Sequence, residues 1–426
     1  MVMFLYNFAW TVIIIFCIPP ATFIRKGRFA ERLGLNIPAT SLGEGNIWVH
    51  ALSVGEVISA VPLIRSLRLE FPHQDIIFTV TTSRGMEIAR KELKDEVRIL
   101  LTMPVDFWWC VRRIVNYIRP SLFILIETDV WPGLIYHLKR RGIKSILVNG
   151  RVSPRTFKSY RRFSIIVRKI FEPLELFLMQ SDLDKERLLR VGIDSKKLRT
   201  AGNIKFDHDW RPMYQKEHDE WLDLLGIDPE TLIWVAGSTH QGEEEIVLEV
   251  YKKLRSFFPT LFLILAPRKI EQADQILMRA KSMGFRGVLR TELLNTRGPY
   301  DVLILNTFGE LGRIYGLGKV SFVGGSLVPM GGHNLLEPAS FGCPVLFGPC
   351  VHNFVLMSKS LEGAGAGWRV RDSEDLFRAV KTLLENNETR SRMGRLAKEF
   401  VETNRGALER VVSQIGIYID EIGGHK

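Results

Sequence analysis

The sequence predicts an α/β protein with two parallel β-sheets, and three observations support this prediction. Short apolar, β-branched runs alternate with helix-length segments along most of the 426 residues, and strands separated in this way pair in parallel. The alternation stops at the polar stretch 207–220 and then starts again. A chain of this length with 46% hydrophobic residues also exceeds what one core usually organises.

Eleven strands are predicted from these apolar runs. Six lie in the first half: Ile47–Leu52, Ile76–Thr82, Ile99–Met103, Leu122–Thr128, Ile146–Asn149 and Leu176–Gln180. Five lie in the second half: Ile233–Ser238, Leu261–Ala266, Val302–Asn306, Val320–Gly324 and Val345–Gly348. Each half is therefore predicted to be a Rossmann-like domain, over residues 21–206 and 221–400, with a linker at 207–220. Residues 401–426 are predicted to be a C-terminal helix, for which packing back on the N-terminal domain is one open arrangement.

The N-terminal residues 1–20 are predicted to form a membrane anchor. Residues 3–18 carry no charge, and four basic residues follow between positions 25 and 32. A bilayer span needs about 20 apolar residues, so this segment is sufficient if Tyr6 and Trp10 lie near an interface. The basic cluster would keep the following domains on the cytoplasmic side of the membrane. A cleaved signal peptide is the alternative, although the basic residues follow the apolar run and no A-x-A site is present.

The overall charge of +11 and the pI near 9.5 favour anionic partners: nucleic acid, acidic lipid or a phosphorylated small molecule. The four cysteines form neither a CxxC pair nor a zinc-finger spacing. This pattern argues against a disulfide framework and a structural metal, and we expect free thiols in a reducing compartment.

The stretch 151–169 is basic and contains Phe157, Tyr160 and Phe163. A solvated helix face is the simplest interpretation of such a run. The same composition suits anionic lipid headgroups and single-stranded nucleic acid. The predicted anchor favours a membrane surface, so no nucleic-acid partner is expected.

Four loops have the residue pattern of a helix capping box. They are Ser53–Glu56, Ser238–Gln241, Thr307–Glu310 and Asn334–Glu337. A capping box uses the free N–H groups of the first helical turn, and a bound anion would use the same groups. Both interpretations remain open at each loop.

Glycine pairs at 324–325 and 331–332 would let the backbone approach a ligand closely. The sequence contains neither GxGxxG nor a P-loop motif, which disfavours a dinucleotide dehydrogenase and a P-loop kinase. Glu337 could accept hydrogen bonds from both ribose hydroxyls of a nucleotide, with a helix cap or a surface acid as the alternative.

Arg268 and Lys205 are candidate phosphate ligands. Arg268 follows a predicted strand and would present a fixed, permanently charged fork, or else form a surface salt bridge. Lys205, at the predicted hinge, would add a second positive charge or remain a solvated surface residue.

Glu56 and Glu127 both follow predicted strands, and two carboxylates in one cleft suggest general-base chemistry. A neighbouring carboxylate would raise the pKa of Glu56 and a helix N-terminus would lower it, so the direction stays open. Glu127 and Asp129 could instead hold a metal, but no histidine or further acid is close in sequence to complete the site.

Seven segments of this sequence resemble, in order, the signature stretches of the 3-deoxy-D-manno-octulosonic acid (Kdo) transferases. They are Ala51–Glu56, Ile126–Pro132, Gly202–Asp207, Gly237–His240, Ala266–Arg268, Phe308–Leu311 and Phe322–Glu337. The resemblance extends from the anchor to about residue 355, and the stretch through Gly331 to Pro338 is its most specific part. Asn306 and Phe308 depart from the residues common in the family, which bears on nucleotide packing only.

This resemblance implies a GT-B fold, with two Rossmann-like domains facing across a cleft. It implies transfer of Kdo from CMP-Kdo to a lipid A precursor at the inner membrane surface, with inversion at the anomeric carbon and without a metal or other cofactor. The alternatives are a GT-B transferase that uses a UDP-sugar, a non-catalytic membrane-tethered sugar-nucleotide binding protein, or an RNA-binding protein.

The resemblance also assigns roles to individual residues. Glu56 would be the catalytic base and Glu127 a second acid on the acceptor side. The donor would contact Pro267, Arg268, Phe308, Gly309, Glu310, Asn334, Leu335, Leu336 and Glu337. Lys205 and Ser238 complete the predicted donor-binding set.

Overall fold

The computed structural model describes residues 28–127, 130–207, 213–293 and 298–423, together with Tyr6, Trp10 and Thr11. The chain forms two compact units, Met1–His208 with Asn404–Lys426, and Asp209–Thr403. Apart from the three residues just named, the predicted anchor lies outside the described residues. Within the described part of the chain, no helix has both the length and the apolar character needed to cross a bilayer.

The first unit contains a seven-stranded sheet. Its strands are β1 (Asn46–Ala51), β2 (Ile76–Val80), β3 (Ile99–Thr102), β4 (Pro120–Ile126), β5 (Lys144–Gly150), β6 (Leu176–Met179) and β7 (Leu198–Thr200). They pair in parallel in the order β3-β2-β1-β4-β5-β6-β7. The direction of strand addition reverses between β1 and β4, and ligands of open parallel sheets bind at the carboxyl ends beside such a reversal.

The second unit repeats this architecture with another parallel sheet. Its strands are β8 (Ile233–Thr239), β9 (Phe262–Pro267), β10 (Gly287–Leu289), β11 (Val302–Ile304), β12 (Val320–Val323), β13 (Val345–Phe347) and β14 (Gly367–Arg369). The order is β10-β11-β9-β8-β12-β13-β14. After β11 the chain returns to the middle of the sheet, where β12 pairs with β8 on the side opposite β9. The strand order therefore reverses between β8 and β12.

Helices connect the strands on both faces of each sheet. The first unit contains α1 (Arg28–Arg32), α2 (Val54–Glu70), α3 (Ser83–Leu93), α4 (Trp108–Ile118), α5 (Pro132–Arg140), α6 (Pro154–Arg162), α7 (Ser164–Phe171) and α8 (Asp182–Val191). The second contains α9 (Gln215–Leu225), α10 (Glu243–Arg255), α11 (Ala273–Ser282), α12 (Leu311–Ile314), α13 (Leu336–Ser340), α14 (Val355–Gly363), α15 (Ser373–Glu385) and α16 (Asn387–Thr403). The last helix, α17 (Ala407–Gly423), belongs to the first unit.

Two apolar cores enclose the first sheet because alternate residues of a strand face opposite sides. Val49 of β1 lies in the core shared with α2, α3 and α17, whereas Trp48 lies in the core shared with α4 to α8. Val411 and Ile415 of α17 are fully buried in the first of these cores. The C-terminal helix is therefore part of the first unit's packing.

The predicted parallel sheets are confirmed, and all eleven predicted strands are present with shifts of a few residues at their ends. The sequence prediction missed β7, β10 and β14. Each is a three-residue edge strand without a continuous apolar run, whereas the three-residue strands β11 and β13 are wholly apolar and were predicted. Residues 208–212 of the predicted linker lie outside the described residues, and α9 already begins at Gln215.

Candidate active site

Glu56 lies in the first turn of α2, directly after β1 and therefore beside the strand-order reversal of the first sheet. Its side chain is largely buried. Oε2 accepts a hydrogen bond from the backbone N–H of Leu52 at 2.5 Å, and Oε1 lies 3.4 Å from Ser53 Oγ. This geometry differs from the predicted capping box: the N–H that Glu56 accepts belongs to Leu52, one residue before the N-cap Ser53, and the Ser53 side chain makes no cap bond. The carboxylate is held in one orientation at the edge of the sheet.

Glu127 directly follows β4, the strand next to β1. Its backbone φ is +62°, an unfavourable value for a residue with a Cβ and one that is found preferentially at functional sites. The Lys205 ammonium lies 2.8 Å from Glu127 Oε1, and the two side chains are 28% and 17% exposed. The observed partner of Lys205 is thus Glu127 of the same unit. Asp129, the second acid of the possible metal pair, lies outside the described residues.

The turn that carries Lys205 is fixed from both sides. Asn149, buried at the end of β5 with a φ of +58°, accepts the backbone N–H of Ile204 at 3.2 Å. The Asp207 carboxylate accepts the N–H groups of Gly406 and Leu408 at 2.5 and 2.7 Å, at the start of α17. Lys205 therefore projects from a rigid segment.

In the second unit, Ser238 and Arg268 lie at the carboxyl ends of the neighbouring strands β8 and β9. Ser238 has a φ of +56°, and the N–H of Arg268 donates to Thr239 O at 2.8 Å. The capping-box interpretation of residues 238–241 is wrong, because β8 continues to Thr239 and α10 begins only at Glu243. A turn at Gly242, whose φ is +96°, separates strand and helix.

Glu243 organises this region, and the sequence analysis missed it. Its side chain has no solvent exposure, and its carboxylate accepts four backbone N–H groups: His240 at 3.0 Å, Gly325 at 2.6 Å, Ser326 at 3.0 Å and Leu327 at 2.8 Å. The backbone donors after β12, which the glycines had suggested for a ligand, are thus bonded to a protein carboxylate.

Gly324 is required for a different reason than ligand approach. A Cβ at this position would lie 2.6 Å from Ser238 O and from Thr239 Cα, closer than non-bonded atoms pack. The ends of β8 and β12 therefore approach each other more closely than a side chain would permit. Gly324 thus serves the packing of two strand ends at this point of the second sheet.

Arg268, Asn334 and Glu337 are brought into one neighbourhood. Asn334 Oδ1 accepts the N–H of Leu336 at 3.1 Å, and Asn334 Nδ2 lies 3.5 Å from Glu337 Oε1. Burial raises the pKa of Glu337, while the Asn334 amide and the charge of Arg268 lower it. The Arg268 side chain itself is exposed. A permanent positive charge and a carboxyl with an amide neighbour therefore lie together in the second unit, as a nucleotide would require.

The remaining predicted donor residues occupy different environments. Pro267, Leu335 and Leu336 are buried, whereas Phe308 is 66% exposed and Gly309 has a φ of +88°. The Glu310 carboxylate is paired with Arg290 at 2.9 Å and bonded to the Thr307 hydroxyl. The helix after Glu310 has only four residues, so its N-terminus would stabilise a bound anion only weakly. Glu310 acts in this structure as the partner of Arg290.

A metal site was one open interpretation of the acidic residues. Among residues 28–127, 130–207, 213–293 and 298–423, no three His, Cys, Asp or Glu side chains are arranged to hold a metal ion.

Comparison with known proteins identifies the family. Residues 27–208 match the model of the family described as 3-deoxy-D-manno-octulosonic-acid transferase (kdotransferase). A 3-deoxy-D-manno-octulosonic acid transferase of Haemophilus influenzae is 34% identical over 396 residues, which cover 93% of this chain and 92% of the relative. The chain belongs to the Kdo transferase family. A second member, from Aquifex aeolicus, is 32% identical over 80% of this chain and 86% of its own.

Solved structures agree with the fold of this Kdo transferase. The UDP-GlcNAc 2-epimerase of Neisseria meningitidis aligns with a TM-score of 0.57 at 13% identity, over 87% of this chain and 99% of its own. A glycosyltransferase from Rickettsia africae aligns with a TM-score of 0.55 at 12% identity, over 89% and 99% of the two chains. At these identities the likeness concerns the fold alone, and it supports a GT-B-like fold of two Rossmann-like domains.

Kdo transferases are glycosyltransferases, so this chain is an enzyme of that class. The predicted residues of this Kdo transferase fall into two groups, each within one unit. Glu56, Glu127 and Lys205 lie at the carboxyl edge of the first sheet, and Arg268, Asn334 and Glu337 lie together at that of the second.

Proposed function

We propose that this Kdo transferase moves Kdo from CMP-Kdo to a lipid A precursor, with inversion at the anomeric carbon and without a metal ion. The observation that carries the proposal is the position of Glu56: an oriented carboxylate directly after β1, beside the strand-order reversal of the first sheet. Membership of the family supports the transferred sugar. The sequence resemblance supports a lipid A precursor as the acceptor, and the charge and the basic helices of the chain are compatible with an anionic lipid.

In the proposed reaction, Glu56 takes the proton of the acceptor hydroxyl while the hydroxyl oxygen attacks the anomeric carbon. The bond from this carbon to the phosphate oxygen breaks, and CMP leaves with the bonding electrons. A carboxylate oxygen accepts from more than one donor, so the bond from Leu52 orients Glu56 without removing its basicity. A general base contributes about 10²- to 10⁴-fold in rate.

The second unit is proposed to hold the nucleotide. The exposed guanidinium of Arg268 would pair with the single phosphate of CMP and stabilise the charge that develops as CMP leaves. Glu337, beside Asn334, would accept from the ribose hydroxyls. A monophosphate leaving group has no diphosphate for a cation to bridge, which makes metal-independent transfer chemically reasonable.

The deciding experiment incubates the purified chain with CMP-Kdo and a tetraacylated lipid A precursor, and weighs the lipid product by mass spectrometry. We expect the lipid mass to increase by Kdo residues with release of CMP, and equal rates with and without EDTA. A parallel reaction with UDP-sugars is the control for the alternative donor class. Release of UDP with no use of CMP-Kdo would overturn the donor assignment, and loss of activity in EDTA would overturn metal independence.

The acceptor side is proposed to face an anionic membrane surface through the helices α4 to α7. These four helices pack on the same face of the first sheet and contain ten Lys or Arg residues and no Asp or Glu. Six large apolar side chains on or between them are exposed: Trp108, Trp109, Tyr136, Phe163, Ile165 and Ile166. Basic residues beside exposed aromatic and aliphatic side chains are typical of surfaces that bind acidic lipids.

Charge-removing substitutions on α6 test this surface. We expect Arg161→Gln with Arg162→Gln to lower the ratio of binding to phosphatidylglycerol-containing over neutral vesicles by about 25-fold, since each basic residue contributes about 1 kcal/mol near such a surface. The predicted anchor would contribute to binding of both kinds of vesicle, so the ratio of the two affinities reports the charge contribution alone. The matched control replaces Arg68 of α2 and Arg90 of α3, which lie on helices of the opposite face. An equal loss in both variants would contradict a surface restricted to α4–α7.

A further inference from the structure

Two histidines face each other in the second unit at the strand-order reversal between β8 and β12. His240 follows β8, and His333 lies in the glycine-rich loop that leads into α13. Their Nε2 atoms are 2.8 Å apart. The ring planes differ by only 5°, and the ring centroids are 5.1 Å apart.

These distances define a hydrogen bond in the common plane of the rings. The centroid separation is close to the nitrogen–nitrogen distance plus the two centroid-to-nitrogen distances, so the rings lie end to end. One Nε2 must then carry a proton and donate it to the lone pair of the other. The same in-line arrangement disfavours a shared metal ion, whose two ligand lone pairs would have to converge on a third point.

The surroundings keep the pair neutral at physiological pH. Burial lowers the pKa of His333 to about 4, with further lowering by Arg268 and His240. Burial also lowers the pKa of His240, which Glu243 raises and Arg268 and Lys269 lower. These are the charged groups that face the pair. Neutral rings share one N–H between their Nε2 atoms, whereas two protonated rings would have two opposed donors and no acceptor.

The bond joins two loops that are separated in sequence. The Glu243 carboxylate accepts the backbone N–H of His240 and also the N–H groups of residues 325–327. His333 precedes Asn334 directly. Gly325, with a φ of +67°, lies against both rings, and a Cβ there would be 3.0 Å from the His333 ring. The fixed loop after β8 is thereby connected to the start of the segment that carries Asn334 and Glu337.

We propose that the His240–His333 hydrogen bond is a positioning element for the donor nucleotide: it holds the 331–337 loop so that Asn334 and Glu337 meet the ribose. The inference rests on the proposed function, in which this segment binds CMP-Kdo. Neither histidine is assigned a proton transfer in the reaction. Their effect is exerted through the residues that follow His333.

Substitutions that separate ring shape from hydrogen bonding provide the test. His240→Phe keeps a flat ring and removes the bond, whereas His240→Gln retains an amide that bonds His333 near the former Nε2 position. We expect the phenylalanine variant to raise the KM for CMP-Kdo and the Kd for CMP by about tenfold, the effect of one lost hydrogen bond, with a smaller change in kcat. The glutamine variant is expected to restore most of the affinity. His73→Gln, at an exposed histidine of the first unit, is the matched control.

Nitrogen NMR of the full chain gives a readout independent of catalysis. At pH 7 the two Nε2 atoms are expected to give one protonated and one hydrogen-bonded unprotonated signal. In His240→Phe the His240 signal disappears, and the His333 Nε2 signal loses the shift caused by the hydrogen bond. Since the pKa of His333 is about 4 in the folded chain, against the ordinary 6.5, an unfolded chain takes up protons first as the pH falls. The free energy of unfolding should therefore decrease between pH 6.5 and about 4, and less so in His333→Gln.

The outcomes separate the inference from the function on which it rests. Wild-type chain that fails to bind CMP would overturn the proposed function whatever the histidines do. CMP binding that is equally strong in wild type and in His240→Phe, with the NMR bond present in wild type, would overturn the positioning role alone. Equal weakening by phenylalanine and glutamine would also contradict it, since ring packing and not the hydrogen bond would then be responsible.

Discussion

Glu56→Gln is expected to lower kcat for Kdo transfer by about 10²- to 10⁴-fold, the contribution of a general base. Glutamine has nearly the same shape and retains a carbonyl oxygen to accept the N–H of Leu52, which the Glu56 carboxylate accepts at 2.5 Å. The loop between β1 and α2 should therefore keep its structure. The amide cannot take the proton of the acceptor hydroxyl, so the chemical step alone is affected.

The measurement compares initial rates of CMP release with the Kd for CMP. We expect CMP affinity within about twofold of wild type, because the proposed nucleotide ligands belong to the second unit. Glu70→Gln, an exposed glutamate at the end of the same helix, provides the control and should retain full activity. A Glu56→Gln chain with wild-type kcat would eliminate Glu56 as the base and leave the proposed mechanism without one.

Glu243→Gln is expected to destabilise the second unit by about 3 kcal/mol or more, because hydrogen bonds to charged groups contribute about 1.5–3 kcal/mol each. The Glu243 carboxylate accepts four backbone N–H groups and is fully buried. The glutamine side chain has one acceptor oxygen, and its NH₂ group would face N–H donors. At least one buried donor would remain without a partner.

Thermal unfolding provides the measurement. For a domain of this size each kcal/mol shifts Tm by about 2–4 °C, so a decrease of about 6–12 °C is expected. CMP affinity should fall as well, since Glu243 fixes both His240 and the loop after β12. Glu249→Gln, at an exposed position of the same helix α10, should leave both quantities unchanged. A Tm equal to wild type in Glu243→Gln would show that these bonds do not hold the region together.

The fold was largely predictable because buried parallel strands leave a strong signal in the sequence. Continuous apolar runs such as Leu261–Ala266 have few interpretations other than a strand covered on both faces. The three-residue edge strands β7, β10 and β14 carry no such signal, since backbone pairing with a neighbour defines them more than their own side chains.

The candidate site was predictable only in part. The pattern of a strand followed by a polar loop placed Glu56 and Arg268 after β1 and β9, and the structure has them there. Their roles in catalysis and donor binding remain predictions. Local spacing failed at 238–241, where a capping pattern matched but the helix begins at Glu243. Glu243 itself was overlooked because its four donors include three that are more than eighty residues away.

By itself the sequence determined the two parallel sheets, the Kdo transferase family and the strand ends at which chemistry is expected. These follow from patterns of neighbouring residues, which periodicity and motif order record directly. Only the tertiary structure decided which groups contact each other. The pairing of Glu127 with Lys205, the enclosure of Glu243 and the bond between His240 and His333 connect residues that are far apart in sequence. The physical reason is that the energy of such contacts depends on distance in space, which strand order and close packing set and which no local pattern encodes.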